Sequence, residues 1–331
     1  MATAAQITAL VRSFSDQDDA QFYRVVLQVA AAEARKGHSQ VARELRDMVD
    51  DARSRKSAIQ RTTGPTLLGQ PKGDLAELLR CSYPEIRMQD LVVAEPLRSS
   101  LHRLLKEHRQ AHDLKAHGLR PRRKLLLAGP PGTGKTMTAH AIAGELRLPL
   151  LAVRLDTLIT RFLGETAAKL RLVFDAMAET RGVYLFDEFD ALGAQRATPN
   201  DVGEIRRVLN SFLQFIEEDD SDSVVVAATN HVELLDRALF RRFDSVLHYE
   251  RPDEALTLRM LQVSLAGFPT KAVDFAEASQ EASGLSQADI LGACEEAAKD
   301  MILEGRSELS TEHLVAAIRM KRAGHDATMR Q

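Results

Sequence analysis

One glycine-rich loop limits the folds open to this chain more strongly than any other part of the sequence. It consists of Gly129, Pro130, Pro131, Gly132, Thr133, Gly134, Lys135 and Thr136, and we call it the phosphate loop. An apolar run over 124–128 precedes it, and residues with a helical pattern follow it. Glycines let the backbone turn tightly around an anion, and the following helix directs its positive end to the same point. The loop therefore predicts a strand–loop–helix unit that binds the phosphates of a nucleotide.

Two side chains of the phosphate loop suit this chemistry. Lys135 can reach the β- and γ-phosphates, and the hydroxyl of Thr136 can ligate Mg²⁺. The alternative is a glycine-rich turn without a ligand. It is disfavoured because the complete spacing occurs together with the flanking strand and helix. We therefore expect ATP and Mg²⁺ to bind here.

Two acidic residues follow a second apolar run, 183–186. In a parallel sheet such a strand end lies at the edge where ligands bind. Asp187 is expected to hold Mg²⁺, which prefers oxygen ligands and keeps part of its water shell. Glu188 is expected to polarise the attacking water. A solvated strand end is the common explanation of an isolated Asp-Glu pair, but the phosphate loop upstream favours a catalytic pair.

Two weaker signals follow farther along the chain. Asn230 lies just beyond the apolar run 224–228, where a neutral amide could orient the water or sense the γ-phosphate. Asparagine at a strand end is more often a turn former. Arg241 and Arg242 could stabilise the charge on a transferred phosphoryl group, although composition alone favours an exposed basic pair.

The order of the segments predicts an α/β fold. Short apolar runs alternate with helical segments, which is typical of a buried parallel sheet with flanking helices. The predicted domains are a small all-α N-terminal domain for docking a partner or client (1–60), a linker (61–85), an α/β nucleotide-binding domain (86–250) and a helical lid (251–325).

By the order and spacing of these motifs, the sequence from about Leu91 to Ala323 resembles the AAA family of ring ATPases. The resemblance implies a P-loop AAA module followed by an α-helical lid. It also implies that the phosphate loop is the Walker A motif. Asp187 and Glu188 would then be the Walker B motif, and Asn230 the first sensor.

The resemblance further implies an assembly. Arg241 and Arg242 match the arginine fingers, which in this family act on the nucleotide of the neighbouring subunit. A homo-oligomer, most often a hexamer, is therefore expected. Many relatives separate the two fingers by a short spacer that contains glycine, whereas here they are adjacent. Which of the two reaches the phosphate stays open at this point.

Residues 284–289 resemble the lid motif of the family, which lies beside the ribose and the adenine. We expect Leu91, Val92 and Ala288 to contact the nucleotide on that side. Gln287 departs from the family pattern, in which glycine is usual.

Residues 162–165 resemble the loop that faces the central pore of these rings. The resemblance implies that Phe162 and Leu163 grip an extended polypeptide. A flat aromatic ring can press on any backbone regardless of its sequence. The alternative is that Phe162 packs in the core.

The predicted function is Mg-dependent ATP hydrolysis by a ring that remodels, unfolds or delivers a protein client. The amino-terminal helices with this AAA body also resemble, more loosely, ATPases of bacterial two-gene systems. In those, the partner gene encodes a subtilisin-like serine protease, and the pair is linked to plasmid incompatibility and phage defence. Two alternatives are an ATP-controlled switch or scaffold that threads nothing, and a DNA-remodelling ATPase.

Composition narrows the partners and the location. The chain has 44 basic and 47 acidic residues, which does not suggest a strong hold on nucleic acid. No run approaches the ~18 apolar residues of a membrane helix, and residues 1–6 lack the basic start and long apolar run that are typical of a signal peptide. We expect a cytoplasmic protein that contacts no membrane. The basic run 120–124 is expected to be a solvated linker, and His108 and His112 to lie on a solvated helix face.

Overall fold

The computed structural model describes residues 71, 73–158, 163–192, 202–234 and 237–329, together with Val26 and Ala30. The chain divides into two compact units, Met1–Thr66 and Leu67–Gln331, and the second holds the sheet and every helix named below. The predicted N-terminal domain therefore lies almost entirely outside the described residues, as does Phe162. Leu163 is described only as the first residue of a helix.

The centre of the larger unit is a six-stranded sheet in the order β1-β3-β4-β5-β2-β6. Its strands are β1 (Leu79–Ser82), β2 (Lys124–Ala128), β3 (Leu150–Val153), β4 (Val183–Phe186), β5 (Val224–Thr229) and β6 (Ser245–His248). Strands β2 to β6 are parallel, and β1 pairs antiparallel with β3 at one edge. The predicted α/β class is confirmed, and the apolar runs 124–128, 183–186 and 224–228 are strands, whereas β1 and β6 were not predicted.

Helices cover both faces of the sheet. They are α1 (Asp74–Leu78), α2 (Glu95–Arg109), α3 (Ala111–Ala116), α4 (Lys135–Leu146), α5 (Leu155–Leu158), α6 (Leu163–Glu179), α7 (Val202–Glu218) and α8 (Arg237–Phe240). Successive residues of β2 pack into different cores, because side chains alternate between the faces of a strand. Leu125 and Leu127 lie in the core on one face, and Leu126 in the core on the other. Burial on both faces explains the uninterrupted apolar runs of these strands.

The helical lid follows β6 and has a hydrophobic core of its own. Its helices are α9 (Glu254–Ser264), α10 (Phe275–Glu281), α11 (Gln287–Leu303) and α12 (Thr311–Met329). Helix α11 begins with a capping box: the Ser286 side chain accepts from the Asp289 N–H, and the Asp289 carboxylate accepts from the Ser286 N–H. This cap fixes the start of α11, which is the part of the lid that reaches the phosphate loop.

The linker predicted over 61–85 is wrong for its second half. Residues 74–82 form α1 and β1, and β1 is part of the sheet. Leu78 and Leu79 are buried in the core on one face of the sheet. The Gly and Pro residues that suggested a linker all precede Asp74, apart from Pro84, and the short apolar segment between them was overlooked. Within the described residues, no helix is long and apolar enough to cross a membrane.

Candidate nucleotide site

A cavity of about 450 Å³ opens at the carboxyl ends of β2, β4 and β5, between the sheet and the lid. Such strand ends are the usual ligand site of open parallel sheets. It is lined by residues of the α/β domain, including the segment before α2, and by residues of the lid: Asp90, Leu91, Val92, Pro131, Gly132, Thr133, Gly134, Lys135, Thr136, Met137, Asp187, Glu188, Asn230, Met260, Val263, Ser264, Gln287, Ala288 and Leu291. The structure thus brings most of the predicted site residues together in one cavity.

At two positions of the phosphate loop, close contacts leave room for glycine but not for a larger residue. A Cβ on Gly129 would overlap the carbonyl oxygen of Tyr249, which directly follows β6. Gly132 has a φ of 74°, and a Cβ there would lie 2.7 Å from Oγ of Ser286. The Ala288 N–H donates to the Gly132 carbonyl oxygen at 2.9 Å. The loop therefore contacts both the end of the sheet and the start of lid helix α11.

Lys135 begins helix α4 with its ammonium group directed back into the phosphate loop. Its Nζ donates to the carbonyl oxygens of Gly129 and Pro130, both at 2.7 Å. Burial lowers the pKa of Lys135, while the nearby carboxylates of Asp187 and Asp190 oppose this shift. A buried ammonium with only carbonyl partners is well placed to exchange them for phosphate oxygens, which carry full charge.

The residues present suit a magnesium ion. The Thr136 hydroxyl donates to Oδ2 of Asp187 at 2.7 Å, so that a hydroxyl and a carboxylate oxygen from α4 and the end of β4 converge. Both are the oxygen ligands that Mg²⁺ prefers, and a dedicated all-protein cage is not needed when phosphates and water complete the shell. The described residues contain no group of three or more His, Cys, Asp or Glu side chains that could hold a metal ion by itself.

Glu188 has an unusual backbone conformation at the turn after β4. Its φ is 51°, in the left-handed region that residues other than glycine rarely adopt. The Glu188 N–H donates to Oδ1 of Asp187 at 3.0 Å, and its side chain is exposed. Such strained conformations are concentrated at functional sites, where the surrounding structure holds them. The turn presents two adjacent carboxylates to the same cavity.

Asp190 is a site residue that the sequence analysis missed. It is 9% exposed, and its Oδ1 accepts a hydrogen bond from the Asn230 N–H at 3.1 Å. This contact joins the turn after β4 to the end of β5, and so sets the position of Asn230 relative to Glu188. Nothing in the local sequence indicates that Asp190 contacts the end of β5.

The two arginines behave differently although they are adjacent. Arg242 donates through NH1 to Oε1 of Glu217, near the end of α7, at 2.5 Å. Arg241 is exposed and makes no hydrogen bond or ion pair with any described residue. Neither lines the cavity formed by its own chain.

The residues that were predicted to contact the adenine side, Leu91, Val92 and Ala288, also line the cavity. Leu91 is buried in the core beneath the sheet, and its carbonyl oxygen accepts from NH2 of Arg98 at 3.1 Å. Val92, the next residue, packs instead against the core of the lid. Three apolar lid residues that the sequence analysis did not name also line this part: Met260, Val263 and Leu291.

Two other predictions from the sequence are corrected by the structure. His108 does not lie on a solvated face: it is 7% exposed, and its Nε2 lies 2.7 Å from the Arg122 carbonyl oxygen. The basic run 120–124 is not a solvated linker either. Arg120, Arg122 and Arg123 each form an ion pair with a carboxylate of the same unit. The spacing of charges along the sequence could not reveal these partners, because two of the three lie about 100 residues away.

Known proteins of one ATPase family are similar to this chain. The family described as "ATPase family associated with various cellular activities (AAA)" matches residues 125–251. The chain is 36% identical over 327 residues to an uncharacterized AAA family ATPase of Sinorhizobium fredii, covering 98% of each.

Two longer proteins match over a part of their length. The ATP-dependent zinc metalloprotease FtsH of Helicobacter felis is 30% identical over 83% of this chain and 44% of that protein. The proteasome-activating nucleotidase of Methanococcus vannielii is 34% identical over 61% of this chain and 51% of its own length.

Proposed function

We propose that this chain, which belongs to the AAA family of ATPases, uses ATP hydrolysis to remodel a protein client. The observation that carries the proposal is the cavity itself, in which Lys135, the Thr136–Asp187 contact and Glu188 meet at one edge of the sheet. The relatives support the kind of client. One is named an ATP-dependent zinc metalloprotease and another a proteasome-activating nucleotidase, so the first name joins ATP, and the second a nucleotidase, to proteolysis.

Each residue of the site has a proposed role. The backbone of the phosphate loop and Lys135 bind the phosphates. Thr136 and Asp187 hold Mg²⁺, which when bound neutralises the charge that develops on the phosphates. Glu188 accepts a proton from the attacking water, and Asn230, positioned by Asp190, orients that water. Leu91, Val92 and Ala288 form the adenine side.

We assign the arginine finger to Arg241. An arginine that acts on a neighbouring subunit must have its guanidinium free in its own chain, and Arg241 meets that condition among the described residues. Arg242 instead forms an exposed ion pair with Glu217. Arg241 and Arg242 both lie outside their own cavity, which fits action on the nucleotide of another copy in a homo-oligomer, most often a hexamer in this family.

Mutant mixing tests this assignment. Arg241→Ala should reduce ATP turnover strongly, by roughly the 10³-fold or more that a finger contributes, and Arg242→Ala much less. Specific activity of the wild type should rise with protein concentration as the oligomer forms. Mixing Arg241→Ala with Glu188→Gln subunits should restore some turnover, because a mixed interface can combine an intact Glu188 with an intact finger. A larger loss in Arg242→Ala would reverse the assignment, and a flat concentration profile without rescue would exclude a finger in trans.

The proposed function also includes a client and a delivery step. We propose that residues 1–60 dock a partner or client, and that Phe162 and Leu163 grip the polypeptide. A separate protease, of the subtilisin-like serine type in a bacterial plasmid-incompatibility or phage-defence system, would then degrade the client. The test is affinity capture on Glu188→Gln, which should trap the client with bound ATP. Phe162→Ala should leave ATP turnover intact and abolish client unfolding.

Two alternatives have distinct outcomes in the same experiments. If Phe162→Ala lowers the melting temperature and removes ATPase activity, Phe162 is a core residue, and a nucleotide-controlled switch or scaffold replaces the threading proposal. If the protein binds DNA with an affinity that falls strongly as the salt concentration rises, it is a DNA-remodelling ATPase. The net charge of −3 and the internal pairing of the basic run 120–124 both argue against DNA.

A further inference from the structure

Arg241 lies in a short segment that spans the end of α8 and the residues before β6, here called the finger turn (residues 239–244). Two apolar side chains of the finger turn, Leu239 and Phe243, are buried in the core on one face of the sheet. The Arg242 N–H donates to the Leu239 carbonyl oxygen at 3.0 Å and closes the turn between them. Because the Arg241 guanidinium has no partner among the described residues, the backbone of the turn decides what it can reach.

Asp244, the last residue of the finger turn, binds the turn to the sheet. Its Oδ2 accepts from two successive backbone N–H groups at the start of β2, those of Arg123 at 2.8 Å and Lys124 at 2.9 Å. The Asp244 N–H donates in return to the Lys124 carbonyl oxygen at 2.8 Å. Hydrogen bonds to an ionised carboxylate are stronger than those between neutral groups. These contacts therefore fix a residue that lies close to Arg241 in the chain.

Strand β2 connects the finger turn to the phosphate loop of the same chain. Asp244 is bonded to its first residue, Lys124, and the loop begins at Gly129, directly after its last residue. At about 3.3 Å per residue the strand separates the two by roughly 16 Å. Strands β5 and β6 pair with it on either side and keep it straight. In the ring proposed above every copy gives a finger to one neighbour and receives one from another, so a fixed separation suits every interface.

We propose that Asp244 is the positioning residue of the arginine finger: its bonds to the start of β2 hold Arg241 where it reaches the phosphates of the neighbouring copy. The proposal rests on the finger assigned to Arg241 above and adds to it a residue that touches no nucleotide. Asp244 then acts on turnover only through Arg241, and at the site of the neighbour rather than at its own. A residue that merely stabilised the fold would have neither property.

The experiment measures steady-state ATP turnover of the full chain at a concentration at which the oligomer forms. Asp244→Ala should lower turnover by about 10²-fold, the cost of displacing a catalytic group by about 1 Å. Asp244→Asn keeps the shape and an acceptor oxygen at the place of Oδ2, so its turnover should stay within a few-fold of the wild type. Asp220→Ala, which removes an exposed carboxylate before β5, is the matched control and should leave turnover unchanged.

Two combinations separate positioning from stability. Arg241→Ala/Asp244→Ala should turn over ATP as slowly as Arg241→Ala, because a residue that acts through Arg241 then has nothing left to position. Mixing Asp244→Ala with Glu188→Gln subunits should restore some turnover, since the second kind supplies an intact finger to the first. Calorimetry should show that Asp244→Ala binds ADP as the wild type does, because its own nucleotide site is unchanged.

Wild-type turnover in Asp244→Ala would overturn the proposal. So would a double variant much slower than Arg241→Ala, an Asp244→Asn variant as slow as Asp244→Ala, or no rescue on mixing where Arg241→Ala is rescued. If the alanine variant does not fold, Asp244→Glu takes its place: its extra methylene displaces the turn, and wild-type turnover in it would contradict the proposal. Wild-type turnover in Arg241→Ala would instead refute the finger assignment itself, which separates the two failures.

Discussion

The amino ends and the carboxyl ends of the parallel strands form two sides of the sheet, here called the amino edge and the carboxyl edge. Both carry many charged side chains, but these are arranged in opposite ways. At the amino edge, before β2 and β5, the charges are paired with one another. At the carboxyl edge, after β2, β4 and β5, the charges face a cavity. The same strands connect the two edges, so the contrast arises from what flanks each strand and not from the strands themselves.

The amino edge is a set of ion pairs that join distant segments. Arg123 donates to both the carboxylate and the carbonyl oxygen of Asp219, and both side chains are almost completely buried. Around it, Arg120 pairs with Asp220 at 2.5 Å, and Lys115 pairs with Asp222 at 2.7 Å. The hydrogen bond from Lys115 lowers the pKa of Asp222 despite partial burial. These charges hold the chain before β2 against the chain before β5.

The carboxyl edge keeps its charges available. Lys135 is buried but has only carbonyl oxygens as partners, and Glu188 is exposed in a left-handed conformation. Asp187 accepts from a hydroxyl and a backbone N–H, not from a cation. Charges paired within the chain contribute structure, whereas charges without a counter-ion are those that a charged ligand can use.

The largest expected effect is at the carboxyl edge. Glu188→Gln removes the proton acceptor and keeps the shape, so ATP turnover should fall by about 10²–10⁴-fold. ATP binding and thermal stability should remain those of the wild type. Steady-state phosphate release and calorimetry measure the two quantities, with Glu179→Gln at the exposed end of α6 as the matched control. Turnover within a few-fold of the wild type would mean that Glu188 is not the base.

The second prediction concerns the buried pair at the amino edge. Arg123→Met leaves the Asp219 carboxylate buried without its partner, which should cost about 3–5 kcal/mol of unfolding free energy. Urea denaturation measures it. Turnover per folded molecule should be unchanged, and Arg123→Met/Asp219→Leu should recover part of the stability. If turnover per folded molecule falls tenfold, the two edges are coupled, and the contrast between them breaks down.

The third prediction is a pH dependence at the amino edge. Burial lowers the pKa of His108, and Arg181 acts in the same direction, whereas Arg122 through its carbonyl oxygen, Glu107 and Asp222 oppose it. The folded state therefore favours the neutral ring, so its contribution is complete above the ordinary pKa of 6.5 and is lost as the pH falls below that value.

Stability measured between pH 7.5 and pH 5 tests this expectation. The wild type should lose more unfolding free energy over that range than His108→Gln, whose amide can still donate to the Arg122 carbonyl oxygen. An equal loss in both proteins would show that His108 does not titrate differently on folding.

The smallest expected effect is at the exposed pair of the amino edge. Arg120→Ala removes the partner of Asp220, but both side chains are solvated. Exposed ion pairs contribute little because water screens them and ordering long side chains is costly. The urea midpoint should therefore not change measurably. A shift as large as that of Arg123→Met would mean that the amino-edge charges act as one network.

The two edges also differ in how well they could be predicted from the sequence. The phosphate loop, Asp187 and Glu188 were identified because phosphate chemistry demands those residue types next to strand ends. The partners of the amino edge were not, because Arg123 and Asp219 are 96 residues apart and each looks like an ordinary surface charge. Edge strand β1 was missed since its four residues stand between a Gly- and Pro-containing segment and Pro84.

The class of fold, the phosphate loop and the carboxylates could be predicted from local residue order, because an apolar strand, a glycine turn and a helix follow one another in the chain. Which side chains contact one another depends instead on the tertiary structure. In the folded chain the Asp190 carboxylate accepts a hydrogen bond from the Asn230 N–H, and Gln287 lies against Gly134. Arg242 pairs with Glu217, whereas Arg241 has no partner among the described residues. Those contacts join segments far apart in the chain, and packing of the lid and helices against the sheet, not local sequence, sets their distances.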